Sequence, residues 1–219
     1  MKKTLSIILA LALCICLFAG CNVKKTDTTS SATPEKNVVT PLPETIDVEK
    51  LEDCTVSVAI DEGDFYLDDN GKMVMKAVVY SYELYDMVDI ASLEKDDVIV
   101  RQSEEIKIED IERLDSGLVR INGGEENGGF DLVSNDDTVY YETGMSDTKA
   151  YYELGEVVLP VSTEFVYIDE SDLESEKKEY YPGDFLSENG DIKYDFNPYN
   201  TSVVIEKGNV VAMKKVYTP

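Results

Sequence analysis

Carboxylates are the chemistry-bearing groups of this chain: 45 Asp and Glu stand against 20 Lys and Arg, and there is no histidine. Without histidine the Ser-His-Asp and Cys-His arrangements, the imidazole general base and the histidine-containing zinc sites are all excluded. Two acids flanking a glycosidic bond could still hydrolyse it, so a carboxylate-dependent hydrolase stays open as an alternative. With 45 acids, however, any pair can be drawn, and none is singled out as catalytic. Clustered oxygens on loops suit a hard cation. Asp68-Asp69-Asn70-Gly71, Asn135-Asp136-Asp137 and Glu188-Asn189-Gly190-Asp191 have that character. None follows the twelve-residue EF-hand loop: with Gly71 at its sixth position, Tyr66 falls on the first and Ala77 on the twelfth. Turn formation explains these runs better than calcium, and no metal or cofactor residue is assigned.

Three tyrosine doublets are the other candidates: Tyr140-Tyr141, Tyr151-Tyr152 and Tyr180-Tyr181. In extended chain successive side chains point to opposite faces, so each doublet turns one ring outward. Tyrosine offers contact area to sugars and proteins at a low entropic cost. Strand propensity and core packing account for the same doublets. The absence of tryptophan argues against a strong glycan-stacking platform.

The N-terminus carries an address. Lys2 and Lys3 precede an apolar run from Leu5 to Phe18, and Ala19-Gly20 lead to Cys21. This is the three-part layout of a secretory signal. A membrane-spanning helix needs about 20 apolar residues, and Leu5 to Gly20 supplies 16 positions before the polar Asn22-Val23-Lys24-Lys25. Leu17-Phe18-Ala19-Gly20-Cys21 resembles the lipobox of bacterial lipoproteins, with Phe18 where leucine is usual. The resemblance covers the first 21 residues only. It implies that cleavage follows Gly20 and that a diacylglyceryl group is attached to Cys21, which would hold the chain on the outer face of the cytoplasmic membrane. Two acyl chains make a durable anchor, at about 0.8 kcal/mol per buried methylene.

Removing residues 1–20 takes away Lys2 and Lys3 and no acid, which leaves a net charge of −27. Such a surface repels nucleic acid and anionic headgroups, and favours cations, basic partners or solubility alone. Cys14 and Cys16 leave with the signal and Cys21 carries the lipid, so Cys54 is alone and no internal disulfide is expected. A solitary cysteine is more often a small buried hydrophobe than a reactive thiol.

Residues 21–45 are rich in Thr, Ser and Pro and bury too little surface to order themselves. They read as a tether of roughly 25–30 Å mean reach. The folded domain, 46–219, is then expected to be mainly β: a single antiparallel sandwich or small barrel with one short helix. Asp47–Asp53 suggests a helical turn, and Val56, Val58 and Ile60 alternate as a half-buried strand. Asp69-Asn70-Gly71 should turn Phe65–Leu67 into a long strand, Met73 to about Tyr82, buried on both faces in its middle. Leu84–Asp97 links to short strands at Val98–Arg101, Ile106–Ile108 and Leu118–Ile121. Gly123–Gly129 forms a long hairpin loop, followed by strands at Phe130–Val133, Val139–Glu142 and Tyr151–Val161. Pro182 opens the short helix, and a final hairpin turns at Lys207-Gly208-Asn209. Strands at this spacing argue against alternating β and α units. About 170 residues bury roughly 70% of the unfolded surface without staples.

The chain is therefore expected to be a membrane-anchored, non-enzymatic module that binds a protein, a wall component or a cation. The alternative is the carboxylate hydrolase, acting on cell-wall polymers.

Overall fold

The computed structural model describes residues 36–134, 138–144, 148–187 and 191–218. In chain order, β1 (Val38–Val39), β2 (Cys54–Ala59), β3 (Phe65–Leu67), β4 (Met73–Ser81) and β5 (Leu84–Asp86) lead into helix α1 (Met87–Ser92). Short strands follow: β6 (Val98–Arg101), β7 (Glu104–Lys107), β8 (Ile111–Arg113), β9 (Val119–Ile121), β10 (Phe130–Ser134) and β11 (Val139–Thr143). Next come β12 (Tyr152–Glu170), β13 (Lys178–Tyr180), helix α2 (Pro182–Phe185), β14 (Thr201–Glu206) and β15 (Asn209–Val216). The protein is mainly β, as its strand periodicity requires.

Five strands close a barrel in the order β2, β4, β12, β15, β14 and back to β2. Every pairing in the ring is antiparallel except β12 with β15, which is parallel. This is a Greek-key barrel rather than a wholly antiparallel one. Its interior is filled by Val56, Val58, Met75, Ala77, Val79, Phe165, Tyr167, Val203, Ile205, Val210 and Met213, with Phe185 of α2 among them. Pro182 occupies the first turn of α2, where its missing N–H costs nothing, and the Asp184 carboxylate accepts the Tyr181 N–H at 2.7 Å. That cap holds Phe185 against Phe65, ring centroids 4.1 Å apart.

The chain between β4 and β12, together with β1, builds a second lobe. A five-stranded sheet, β5-β11-β10-β9-β8, packs with a three-stranded sheet, β1-β6-β7, around Val39, Tyr85, Ile90, Leu93, Ile99, Ile121, Phe130 and Leu132. Asp86 caps α1 by accepting the Val88 N–H at 2.7 Å. Arg113 donates to the carbonyls of Ile90 and Leu93 at the other end, where a cation is favoured.

Several local expectations are met. Asp68 closes the β3–β4 turn by accepting the N–H groups of Asn70 and Lys72 at 2.9 and 2.8 Å. The last hairpin turns through Lys207 (φ 51°) and Gly208 (φ 72°), the two positive values that a type I′ turn needs. The loop Gly123–Gly129 does join β9 to β10.

Other expectations need correction. The tether assigned to 21–45 ends sooner: Val38–Val39 pairs in parallel with β6, Val39 is buried, and the Val98 N–H donates to Asn37 O. A two-residue strand shows no periodicity, so only its partner reveals it. A second helix, α1, occupies the expected linker. Asp47–Asp53 does make the expected turn, with the Lys50 N–H on Asp47 O. β4 alternates after all, with Met75, Ala77 and Val79 in the core while Lys76, Val78 and Tyr80 are half-exposed on the other face. β12 runs nine residues past the expected Val161.

Candidate functional site

Four tyrosines from four parts of the chain meet where the barrel joins the second lobe. Tyr82 follows the last residue of β4, Tyr141 lies on β11, Tyr151 immediately precedes β12, and Tyr199 sits in the turn before β14. The rings of Tyr82 and Tyr141 are 5.9 Å apart at 71°, those of Tyr82 and Tyr151 5.6 Å at 84°, and those of Tyr151 and Tyr199 5.5 Å at 81°. Positive ring edges thus point at negative faces, the arrangement aromatic quadrupoles prefer. Lys149 Nζ lies 3.7 Å from the Tyr82 centroid and 5.4 Å from that of Tyr141, well inside cation–π range. Ser57 Oγ contacts the Tyr151 hydroxyl at 3.3 Å. Tyr199 is 48% exposed, and its three neighbours are half-buried. The result is one aromatic surface with phenolic oxygens along it and a cation on it.

The doublets explain how two of these rings arrive there. Tyr152, the successor of Tyr151, donates instead to Glu44 Oε2 at 2.7 Å. Burial, with the Glu44 carboxylate second, pushes its phenol up to about 12. At Glu44, burial raises the carboxyl, but hydrogen bonds from Ser81, Ile46, Tyr152 and Thr45 outweigh it and the net shift is downward. Tyr140, beside Tyr141, packs on the core of the second lobe. Tyr180 is buried and stacks on Tyr167 at 5.3 Å, while Tyr181 is 56% exposed. Tyr82, Tyr199 and Lys149 gave no signal in the sequence, because each reaches the patch through its own turn or strand end rather than through a shared motif.

A second polar cluster closes one end of the barrel. Lys215 is buried, forms an ion pair with Asp195 and places Nζ 5.6 Å from the Phe196 ring. Beside it, Asp169 accepts from the Ser171 N–H and hydroxyl at 2.9 and 2.6 Å. Burial raises the Asp169 carboxyl, but these bonds and Lys215 outweigh it, and the net shift is downward. Burial above all, then Asp169, raises the Tyr167 phenol. Asp169 is close enough to exert that influence, although the two groups do not meet in hydrogen-bond geometry and the buried Tyr167 hydroxyl has no hydrogen-bond partner among the described residues.

The remaining sequence candidates fall elsewhere. Asp68 spends its carboxylate on the turn. Asn135-Asp136-Asp137, most of Glu188-Asn189-Gly190-Asp191, and the whole lipobox with Cys21 lie outside the described residues. Cys54 is a half-buried free thiol, raised by burial and then by Asp53. Among the described residues no helix is long and apolar enough to cross a membrane. No protein-family profile matches the chain, and no curated protein or solved structure matches it.

Proposed function

We propose that this chain is a lipid-anchored binding module that presents the Tyr82–Tyr141–Tyr151–Tyr199 patch to a protein or wall component outside the cytoplasmic membrane. The joined, partly open aromatic surface carries this reading. Tyrosine clusters of this kind supply rigid contact area with a hydroxyl at the rim. Lys149, already seated on two of the rings, indicates that the patch suits cationic or polar groups. The anchor rests on the lipobox and on Cys21, with the diacylglyceryl group as the membrane attachment.

Two experiments test the proposal. Labelling cells with a radiolabelled fatty acid should mark the protein, and Cys21→Ser should abolish the label; retained label sinks the anchor. Wall and membrane extracts passed over the immobilised domain should yield a retained component, and Tyr199→Ala should weaken its retention about tenfold or more, as for an exposed aromatic hot spot. Recovery of nothing above a control column sinks the binding reading.

A further inference from the structure

β12 has strands on both edges only in its second half. From Val161 to Glu170 it pairs with β15 on one edge, and β13 joins the other edge at Tyr167–Asp169. From Tyr152 to Pro160 β4 takes one edge. Among the described residues no strand takes the other. The pairing with β15 starts at Val161 and shifts register before Val166, so the edge of β12 ahead of Val161 lies outside the closed ring of pairings. Backbone donors and acceptors along this edge are therefore free to template another strand.

Beside this edge lies a groove of about 910 Å³. The β12 edge at Glu156–Leu159 forms one wall, the segment Val48–Asp53 a second, and the turn Lys207-Gly208 the end. Both borders are fastened down. The Lys207 N–H donates to Asp53 Oδ1 at 2.8 Å, and the Gly208 N–H reaches Glu52 O at 3.4 Å. Val158 stands 53% exposed beside the groove, between the exposed Glu156 and Pro160. Glu49, Glu52 and Asp53 face only Lys50 and Lys207 among its lining residues, while Glu156 is paired with Lys76 at 2.7 Å.

We propose that this edge binds an extended, basic segment of a partner protein by strand addition. Main-chain hydrogen bonds to β12 give affinity, and alternate side chains give specificity. On the outer face the incoming strand would set a small apolar residue beside Val158, with its Lys or Arg turned toward Glu49 and Glu52 across the groove. On the inner face it would meet Val157 and Leu159. A second copy of this chain is a poor occupant, because it would bring the same acids against these and one strongly negative chain against another. The groove is independent of the tyrosine patch.

The probe is a nine-residue peptide of alternating Lys and Val, titrated against the whole mature chain by fluorescence anisotropy. N-methylation of the amides on the strand edge facing β12 should weaken binding about tenfold or more, while methylation on the opposite edge leaves it within about twofold. An alternating Glu and Val peptide should not bind. Val158→Lys, an exposed change whose thermal midpoint checks the fold, should also cost about tenfold. Tyr199→Ala should leave the peptide affinity unchanged, so loss of the patch and loss of the groove are told apart. Equal binding by both methylated peptides would show attraction by charge alone and overturn the proposal. So would sedimentation showing that the peptide-free chain is a dimer which Val158→Lys dissociates, since the edge would then serve a second copy.

Discussion

The barrel and the second lobe are built from the same strand-forming residues, yet they are held together differently. The barrel rests on apolar area. Its strands run to nine and 19 residues, and Phe65, Phe165, Phe185, Tyr167 and Phe196 form a connected aromatic interior. The lobe has strands of two to five residues and a smaller core, and it depends on polar pins. Arg101 grips Glu142 through two bonds of 2.6 Å while lying 5.3 Å from the Phe130 centroid. The Tyr85 hydroxyl lies 2.8 Å from Glu83 and 3.0 Å from the Val100 carbonyl, and the other Glu83 oxygen accepts the Gln102 N–H. Short strands expose too many backbone ends for apolar area alone to fix them. Charged hydrogen bonds then set the register, and removing one partner leaves the other uncompensated.

Damage to each region should show in a different way. Phe165→Ala removes a fully buried ring from the barrel and should cost about 3–5 kcal/mol by denaturant titration, with one cooperative transition. Glu142→Ala strands Arg101, whose side chain is 35% exposed. Solvent softens that penalty to about 2–3 kcal/mol. Its signature is where the loss appears: amides of β9, β10 and β11 should exchange faster, while those of β2, β14 and β15 stay protected. If exchange rises equally in both regions, the lobe is not a separate unit of stability.

Gly129→Ala sharpens the same point with a smaller effect. A Cβ there would sit 2.0 Å from the Ile121 carbonyl oxygen and 2.7 Å from that of Asn122. Backbone meets backbone, so β9 and β10 must part, at about 1–3 kcal/mol, again with the barrel intact.

The smallest effect concerns pH and falls on the barrel. Asp169 is held below its ordinary carboxylate range, so as pH falls the unfolded chain takes up its proton first. Its contribution is present above about pH 4 and fades as pH drops through the folded value. Protonating the many other acids relieves repulsion over the same range, so the wild-type curve alone mixes the two effects. The difference in stability between wild type and Asp169→Asn isolates it. That difference should be flat from pH 7 to 5 and shrink below pH 4. A difference that grows on acidification would refute the assignment.

Turn chemistry was the most legible part of the fold. Asp68 to Gly71 and Lys207-Gly208 hold their bonding partners within a few residues, and so does the Pro182 helix start. The tyrosine patch was half legible. Two of the three doublets contain Tyr141 and Tyr151, but alternation separates neighbours without saying which ring of a pair turns outward. Tyr82, Tyr199 and Lys149 were hidden, because nothing local distinguishes a half-buried tyrosine or lysine at a strand end. The open edge of β12 was not legible at all. The sequence reads as strand only from Tyr151 to Val161, and whether an edge is occupied depends on partners 46 to 86 residues away in β15 and β4.

The β-rich class, the absence of histidine, the hairpin turns and the strongly negative charge could all be read from the chain alone. Composition and local backbone preference act wherever a residue stands. That β12 pairs in parallel with β15, that four tyrosines share one surface, and that among the described residues a strand edge is left open beside an acidic groove emerge only when the chain is folded. Pairing partners and shared surfaces are fixed by how the whole chain buries its apolar faces, and that is settled between distant segments rather than within any one of them.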